Sequence, residues 1–378
     1  MRQEDICTHL GDLSERYLGA VTPPIFQSSI FVDCPNNENG KEGRYAYTRV
    51  SNPTTEIAEE KIAALEKGEK AKCFSSGMGA ISAAIMHYIK GGCHVVGVAS
   101  CYGPARRFLE DYLKKFNVSV TFVSGIDTDE IEAAVTSNTS LIYLESPSTY
   151  LFHLQNLKEV VEVAKRHGAA TVMDNTYATP IYQQPLAYGI DMVVHSASKY
   201  MGGHSDIIGG IVVGKEEDIN QISLNERELF GAVMSPFDSW LLLRGIRTLS
   251  VRMPQHQKNA LEFVNHFVGH SFIKEIIYPW HESHPQYLLA KKQMSGGSGL
   301  MSLVFDLPPD TIENISRELR MFYEGPSWGG YESMFLPVGT KADRDTDTVK
   351  KGMVRVHIGL ENTETLIEDL ELAMAKCI

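Results

Sequence analysis

Residues 191–206 read Asp-Met-Val-Val-His-Ser-Ala-Ser-Lys-Tyr-Met-Gly-Gly-His-Ser-Asp, and the lysine in that run, Lys199, decides how the rest is read. Asp191 to His195 has the length and apolar character of a buried strand. A lysine just past such a strand is unusual, because lone lysines generally sit on wet helices or loops. Partly desolvated and near other cations, its amine loses basicity and becomes a nucleophile toward carbonyl groups. Ser196 and Ser198 alternate with it and offer hydroxyls suited to a phosphate. An ordinary turn lysine is the competing reading of this stretch alone.

Working upstream, Met173-Asp174-Asn175-Thr176 places an acid at the end of another apolar run. A carboxylate there needs a cation or several donors, because an unpaired buried charge is very costly. A protonated pyridine nitrogen meets that need, and so does a turn built on Asp-Asn. Ser75-Ser76-Gly77-Met78-Gly79-Ala80 ends a short strand and opens a helix. Its free N–H groups and the positive helix end converge on one point, where glycine lets a phosphate approach. A tight strand-to-helix turn is the alternative. A dinucleotide fingerprint needs glycine where Ser82 stands.

These three signals fall within one alternation of helices and strands. Helices are expected at 54–65, 79–89, 106–116, 129–135 and 157–167, the last capped by Asn156 and stopped at Gly168. Strands are expected at 71–74, 94–99, 118–123, 140–144, 170–173 and 191–195. The pattern is that of an α/β protein whose mostly parallel sheet has helices on both faces. Ligands of such sheets bind in the loops past the strands' carboxyl ends, where all three signals lie.

Outside this block, residues 1–45 read as an irregular N-terminal arm, with a polar stretch at 36–40 and with Ile25, Phe26, Ile30 and Phe31 favouring packing onto something else. Residues 46–235 form the expected large domain. Residues 236–378 form a smaller α+β domain, with helices at 240–250, 255–268 and 364–376 and strands at 300–307 and 354–358. The charged run 341–351 reads as a solvated loop.

With 378 residues, 43% hydrophobic and 22% charged, the chain has the composition of an ordinary soluble protein. Thirty-five basic against 47 acidic residues leave a net charge of −12, which disfavours a nucleic-acid surface. Six scattered cysteines without a C-x-x-C pair suggest reduced thiols and a cytoplasmic location. No apolar run reaches membrane-spanning length and no secretory leader is visible, so no membrane partner is expected. His195, His204 and Asp206 could be imagined as metal ligands, but a strand end and a packed loop explain them, and no metal is expected.

The order of phosphate cup, acid and lysine is the one a pyridoxal 5′-phosphate (PLP) site requires, since PLP carries a phosphate, a basic ring nitrogen and an aldehyde. Residues 191–206 also resemble the cofactor-lysine region of the Cys/Met-metabolism PLP enzymes. That family includes cystathionine β- and γ-lyases, cystathionine γ-synthase and methionine γ-lyase. Similar stretches run through nearly the whole chain: Tyr47-Thr-Arg49-Val-Ser-Asn52-Pro53-Thr54, Tyr102-Gly103, Gly296-Gly-Ser-Gly-Leu300 and Arg355-Val-His-Ile-Gly-Leu-Glu361. The resemblance implies a fold-type-I, aspartate-aminotransferase-like α/β architecture and a homotetramer built from two dimers, with each active site shared across a dimer. It implies an amino-acid substrate and PLP held on Lys199 as a Schiff base, with Asp174 as partner of the ring nitrogen and Tyr102 stacked on the ring. Gly77, Met78, Ser196 and Ser198 would contact the phosphate. Tyr47 and Arg49 would reach the phosphate of the neighbouring subunit. Arg355, assisted by Ser327, would grip the substrate carboxylate.

Departures from the family pattern bear on the reaction. Ser198 replaces the usual threonine before the lysine and keeps the hydroxyl. Pro104 stands where methionine γ-lyases carry cysteine, Ala46 where cystathionine γ-enzymes often carry glutamate, and Thr149 where the γ-type pattern has asparagine. Ser327-Trp328-Gly329-Gly330-Tyr331-Glu332-Ser333 is similar to the Trp-containing loop of bacterial cystathionine β-lyases, which makes Trp328 a candidate substrate contact. Residues 47–54 resemble the γ-branch. The expectation is a C–S lyase closest to cystathionine β-lyase, with γ-elimination or γ-replacement as the alternative.

Overall fold

The computed structural model describes residues 1–32, 45–340 and 348–378. The polar stretch 36–40 and most of the charged run 341–351 lie outside the described residues. The N-terminal segment departs from expectation. It begins with helix α1 (Gln3–His9), whose Ile6 and Cys7 are buried against α2 (Pro53–Glu66). Lys61 of α2 fastens it, donating from Nζ to Asp12 Oδ2 at 3.1 Å and to the Ile6 carbonyl at 3.3 Å. A seven-residue helix is too short for hydrophobic period to reveal, and tertiary contact stabilises it. Further on, Phe26 bonds through its backbone to Thr54 and Asn52, whereas Ile30 is exposed.

Seven strands make the first sheet: β1 (Lys70–Phe74), β2 (His94–Val98), β3 (Ser119–Val123), β4 (Thr139–Glu145), β5 (Ala170–Asp174), β6 (Met192–Ser196) and β7 (Gly210–Gly214). Their order is β1-β7-β6-β5-β4-β2-β3, parallel except for β7, which runs against both neighbours. β2 and β7 are buried at every position, as strands covered on both faces must be. β7 was not anticipated: Gly-Ile-Val-Val-Gly is too short for alternation to declare it. Helix α3 (Gly77–Tyr88) lies across β6 and β7. The helix Leu157–His167 ends as expected at Gly168 (φ 67°), but Asn156 makes no side-chain capping bond. Asn52 does cap, accepting from Thr54 N at 2.9 Å ahead of Pro53.

Five later strands, β8 (Ile273–Ile277), β9 (Leu300–Phe305), β10 (Phe322–Tyr323), β11 (Ser333–Pro337) and β12 (Met353–His357), form a second sheet in the order β10-β11-β12-β9-β8. The helical break expected before Gln255 falls earlier: helices Pro236–Arg247 and Leu249–Phe267 meet at Thr248, and the second runs through Pro254. Hydrophobic contact is continuous from Ile62 and Ile211 through Leu243 and Phe263 to Leu303 and Leu370, so the second sheet is braced against the first. That bracing brings β12 to the carboxyl ends of β4, β5 and β6, where a single cavity is lined from both sheets.

Candidate active site

The cavity measures about 810 Å³ and is lined by Gly77, Met78, Tyr102, Asp174, Ser196, Ser198, Lys199, Ser327, Trp328 and Arg355. Ten of the twelve residues singled out from sequence thus meet in one space. Tyr47 and Arg49 are the other two. They do not line it; the Arg49 guanidinium instead lies 4.9 Å from the centroid of the half-exposed Tyr47 ring.

Lys199 sits on the turn after β6, its N–H bonded to the Ser196 carbonyl at 3.2 Å. Its Nζ donates to Ser327 Oγ at 2.7 Å and lies 5.5 Å from the Trp328 ring centroid. Burial first and the Arg355 charge second push the amine down to about 8, against the pull of Asp174. Roughly a quarter is then neutral at pH 7.5, against about one part in a thousand for an ordinary lysine. The amine is available as base and nucleophile.

Asp174 ends β5 and is buried. Thr176 donates to its Oδ1 from N (2.9 Å) and from Oγ1 (2.5 Å), and the same hydroxyl accepts Ser196 N at 2.8 Å. One threonine therefore ties the acid to the strand that carries the lysine. Among the described residues no donor is bonded to Oδ2. Burial raises the carboxyl, opposed by Thr176, His195 and Lys199. Behind it, His195 Nε2 lies 2.5 Å from Glu66 Oε1, both side chains sealed from solvent, and Asn175 donates to that oxygen at 2.9 Å. His204 bonds through Nδ1 to the Gly202 carbonyl, apart from both.

Glu145 was not among the residues singled out from the sequence, and the structure gives it a place. It ends β4 directly across the ladder from Asp174. Its Oε2 accepts Tyr102 N at 2.7 Å and its Oε1 accepts Thr149 Oγ1 at 2.6 Å, so it anchors the turn that carries the tyrosine. Burial and Asp174 raise it to about 8. The signal is in the sequence, since two consecutive strands, β4 and β5, both end in an acid. An unfolded glutamate titrates near 4.3. The folded protein therefore binds the extra proton between roughly pH 4.3 and 8, and stability falls as pH rises through that window. Glu145→Gln is expected to raise the melting temperature of the cofactor-free protein by several degrees at pH 8.5 and by little at pH 5. An equal shift at both values would show that Glu145 is not held protonated.

The remaining parts fit a phosphorylated pyridine aldehyde. Ser76 caps α3, accepting Gly79 N at 3.0 Å, which leaves the amides of Gly77 and Met78 at the helix start. A Cβ on Gly77 would stand 2.9 Å from Ser196 Oγ, so only glycine lets the two meet. Ser198 Oγ accepts Gly209 N at 3.0 Å. Tyr102 is 45% exposed, into the cavity it lines. Arg355 is buried in β12, donating from Nη2 to the Ser327 carbonyl at 3.0 Å, and its guanidinium lies 5.9 Å from the Tyr150 ring. Lys199 would hold the aldehyde carbon, Asp174 Oδ2 the ring N–H, Gly77, Met78, Ser196 and Ser198 the phosphate, and Tyr102 the ring face. The described cysteines are all free, and no described helix is long and apolar enough to cross a membrane.

Comparison with known proteins gives one pattern. The family model described as Cys/Met metabolism PLP-dependent enzyme matches residues 4–375. An L-methionine gamma-lyase of Porphyromonas gingivalis is 38% identical, over 96% of this chain and 94% of that protein. A cystathionine beta-lyase of Lactococcus lactis subsp. cremoris is 36% identical, over 97% of each. A crystal structure of metB from Corynebacterium glutamicum superposes with a TM-score of 0.94 at 31% identity, covering 100% of this chain and 99% of that one.

Proposed function

The chain belongs to the Cys/Met metabolism PLP-dependent enzyme family, and from that premise we propose that it is a cystathionine β-lyase, releasing homocysteine, pyruvate and ammonia. Membership makes it a PLP-dependent enzyme of amino-acid substrates, a C–S lyase or a related γ-replacement transferase. When bound, PLP supplies an electron sink that acidifies the substrate's α C–H bond. Arg355 binds the substrate α-carboxylate, and Ser327 steadies both Arg355 and Lys199. The neutral Lys199 Nζ then removes the α-proton and returns a proton later in the cycle. Asp174 keeps the ring nitrogen protonated, and Tyr102 covers the ring face.

The observation that carries the β assignment is the wall opposite the lysine. Trp328 stands 5.5 Å from Lys199 Nζ. Pro104, also in the wall, holds no thiol where methionine γ-lyases have one. The alternative, γ-elimination from methionine, is supported by the 38% identity to the Porphyromonas protein. One assay separates them. Pyruvate and homocysteine from cystathionine are expected. 2-Oxobutyrate and cysteine from cystathionine, or 2-oxobutyrate and methanethiol from methionine, would replace the β reading by a γ reading. Consumption of an O-acyl-homoserine with a thiol would replace it by γ-replacement. In the same reading the enzyme is a cytoplasmic dimer of dimers, with Tyr47 and Arg49, which do not line their own cavity, completing the phosphate site of the adjacent protomer.

A further inference from the structure

Strand β12 presents Arg355 and, two residues on, His357 to the same face. Arg355 grips the carbonyl of Ser327. His357 grips the segment that follows. Gly329 N–H donates to its Nε2 at 3.2 Å, and its Nδ1 lies 3.0 Å from the Glu332 carbonyl. A backbone N–H only donates and a carbonyl only accepts, so the ring is the neutral tautomer with its proton on Nδ1. Burial, together with His256 from the helix Leu249–Phe267, Arg355 from its own strand and Lys199 from the turn after β6, favours that neutral form. The rings of His256 and Tyr200 flank it, centroids 5.3 and 5.6 Å away. The bridged segment presses on the lysine turn: a Cβ on Gly329 (φ +86°) would stand 2.8 Å from Tyr200 N and 3.0 Å from Lys199 Cα.

We propose that His357 is a positioning residue, a latch that holds residues 327–332 on β12 and so aims Ser327 and Trp328 at Lys199 and at the substrate carboxylate. The inference rests on Lys199 and Arg355 serving an amino-acid substrate, as proposed above. It assigns His357 no contact with the reacting atoms.

His357→Phe keeps a flat ring but neither hydrogen bond, whereas His357→Gln can restore the acceptor facing Gly329. In the holoenzymes, kcat and KM are measured on cystathionine and methionine. Affinity for alanine, which has no leaving group, is read from the cofactor's visible absorption band. His357→Phe is expected to keep that band and to weaken both KM and alanine affinity about tenfold, the size of one or two lost hydrogen bonds, with kcat changed less. His357→Gln is expected to recover most of the loss. Affinities within twofold of wild type in His357→Phe, or a glutamine variant no better than the phenylalanine one, would reduce His357 to a space-filler. Should His357→Phe not fold, His357→Ala with added imidazole is read instead: rescue of alanine affinity supports the latch, and absence of a defect or of rescue overturns it. Wild type that binds alanine yet cleaves neither thioether would remove the lyase reading, while the alanine affinities of the variants still decide the latch.

Discussion

Replacing Lys199 with alanine is expected to lower turnover by about 10⁴-fold, the upper end of what a positioned proton-transfer group supplies. The same change should abolish covalent retention of the cofactor after borohydride reduction. The expectation follows from three features of the site. The amine lies on a turn fixed by its own backbone bond to Ser196, so its reach into the cavity is set by β6. Its basicity is brought to about 8 by burial and by Arg355, which places base and conjugate acid both within reach near neutral pH. Its Nζ donates a hydrogen bond to Ser327 Oγ at 2.7 Å, which orients the amine. The variant should still fold, since the side chain ends in a cavity and not in a packed core. Purified wild type is expected to be yellow and to carry the reduced cofactor on a peptide containing residue 199. A variant that keeps a tenth of wild-type turnover, or that still traps the cofactor at that position, would move the chemistry to another amine.

How much of this was legible beforehand differs from residue to residue. That the turn at Gly77, Asp174 and Lys199 would meet was legible because each is a polar interruption at the end of an apolar run, and a parallel sheet gathers strand ends along one edge. Glu145 has the same signature, but its role depends on which strands are neighbours: β4 lies beside β5, and that register is set by tertiary packing. The latch at His357 was invisible for a related reason. Alternation along Met-Val-Arg-Val-His suggests one wet face, yet all five residues are buried, because residues 325–332 cover the face that Arg355 and His357 share. Strand β11 lacks a signal, being five residues with serine and proline at its ends, whereas the helix Pro309–Glu318 carries one, a leading proline and buried Ile312 and Ile315 three residues apart on a polar segment. At Pro254 the local rule misled. Proline ends helices when nothing else holds them, and here Met253, Ala260 and Phe263 bury the helix on both sides of it.

Arg355→Lys is expected to lower kcat/KM for the preferred amino acid by about 10²- to 10³-fold, chiefly through KM, while the cofactor stays bound and trappable. Arg355 is a buried cation, and the acceptors bonded to it among the described residues are carbonyls, Ser327 O at 3.0 Å and Gly325 O at 3.5 Å from Nη2. A guanidinium desolvated to that degree, its pKa pushed down by burial, has no carboxylate partner among the described residues. Such a charge is costly until an anion arrives, and the cavity is where one can arrive. The α-carboxylate of the substrate fits, because the planar fork can meet both of its oxygens while Nη2 stays on Ser327. Lysine offers a point charge on a flexible stem, and cannot bond the loop carbonyl and two carboxylate oxygens in that plane. Losing one partner of a buried, hydrogen-bonded charge pair costs about 2–5 kcal/mol, which is the source of the expected range. Arg355→Ala should be worse than lysine, and an amino-acid amide, which lacks the anion, should bind wild type poorly and be nearly indifferent to either substitution. Equal losses for the acid and its amide would mean that Arg355 only braces the loop, and the carboxylate would then need another host.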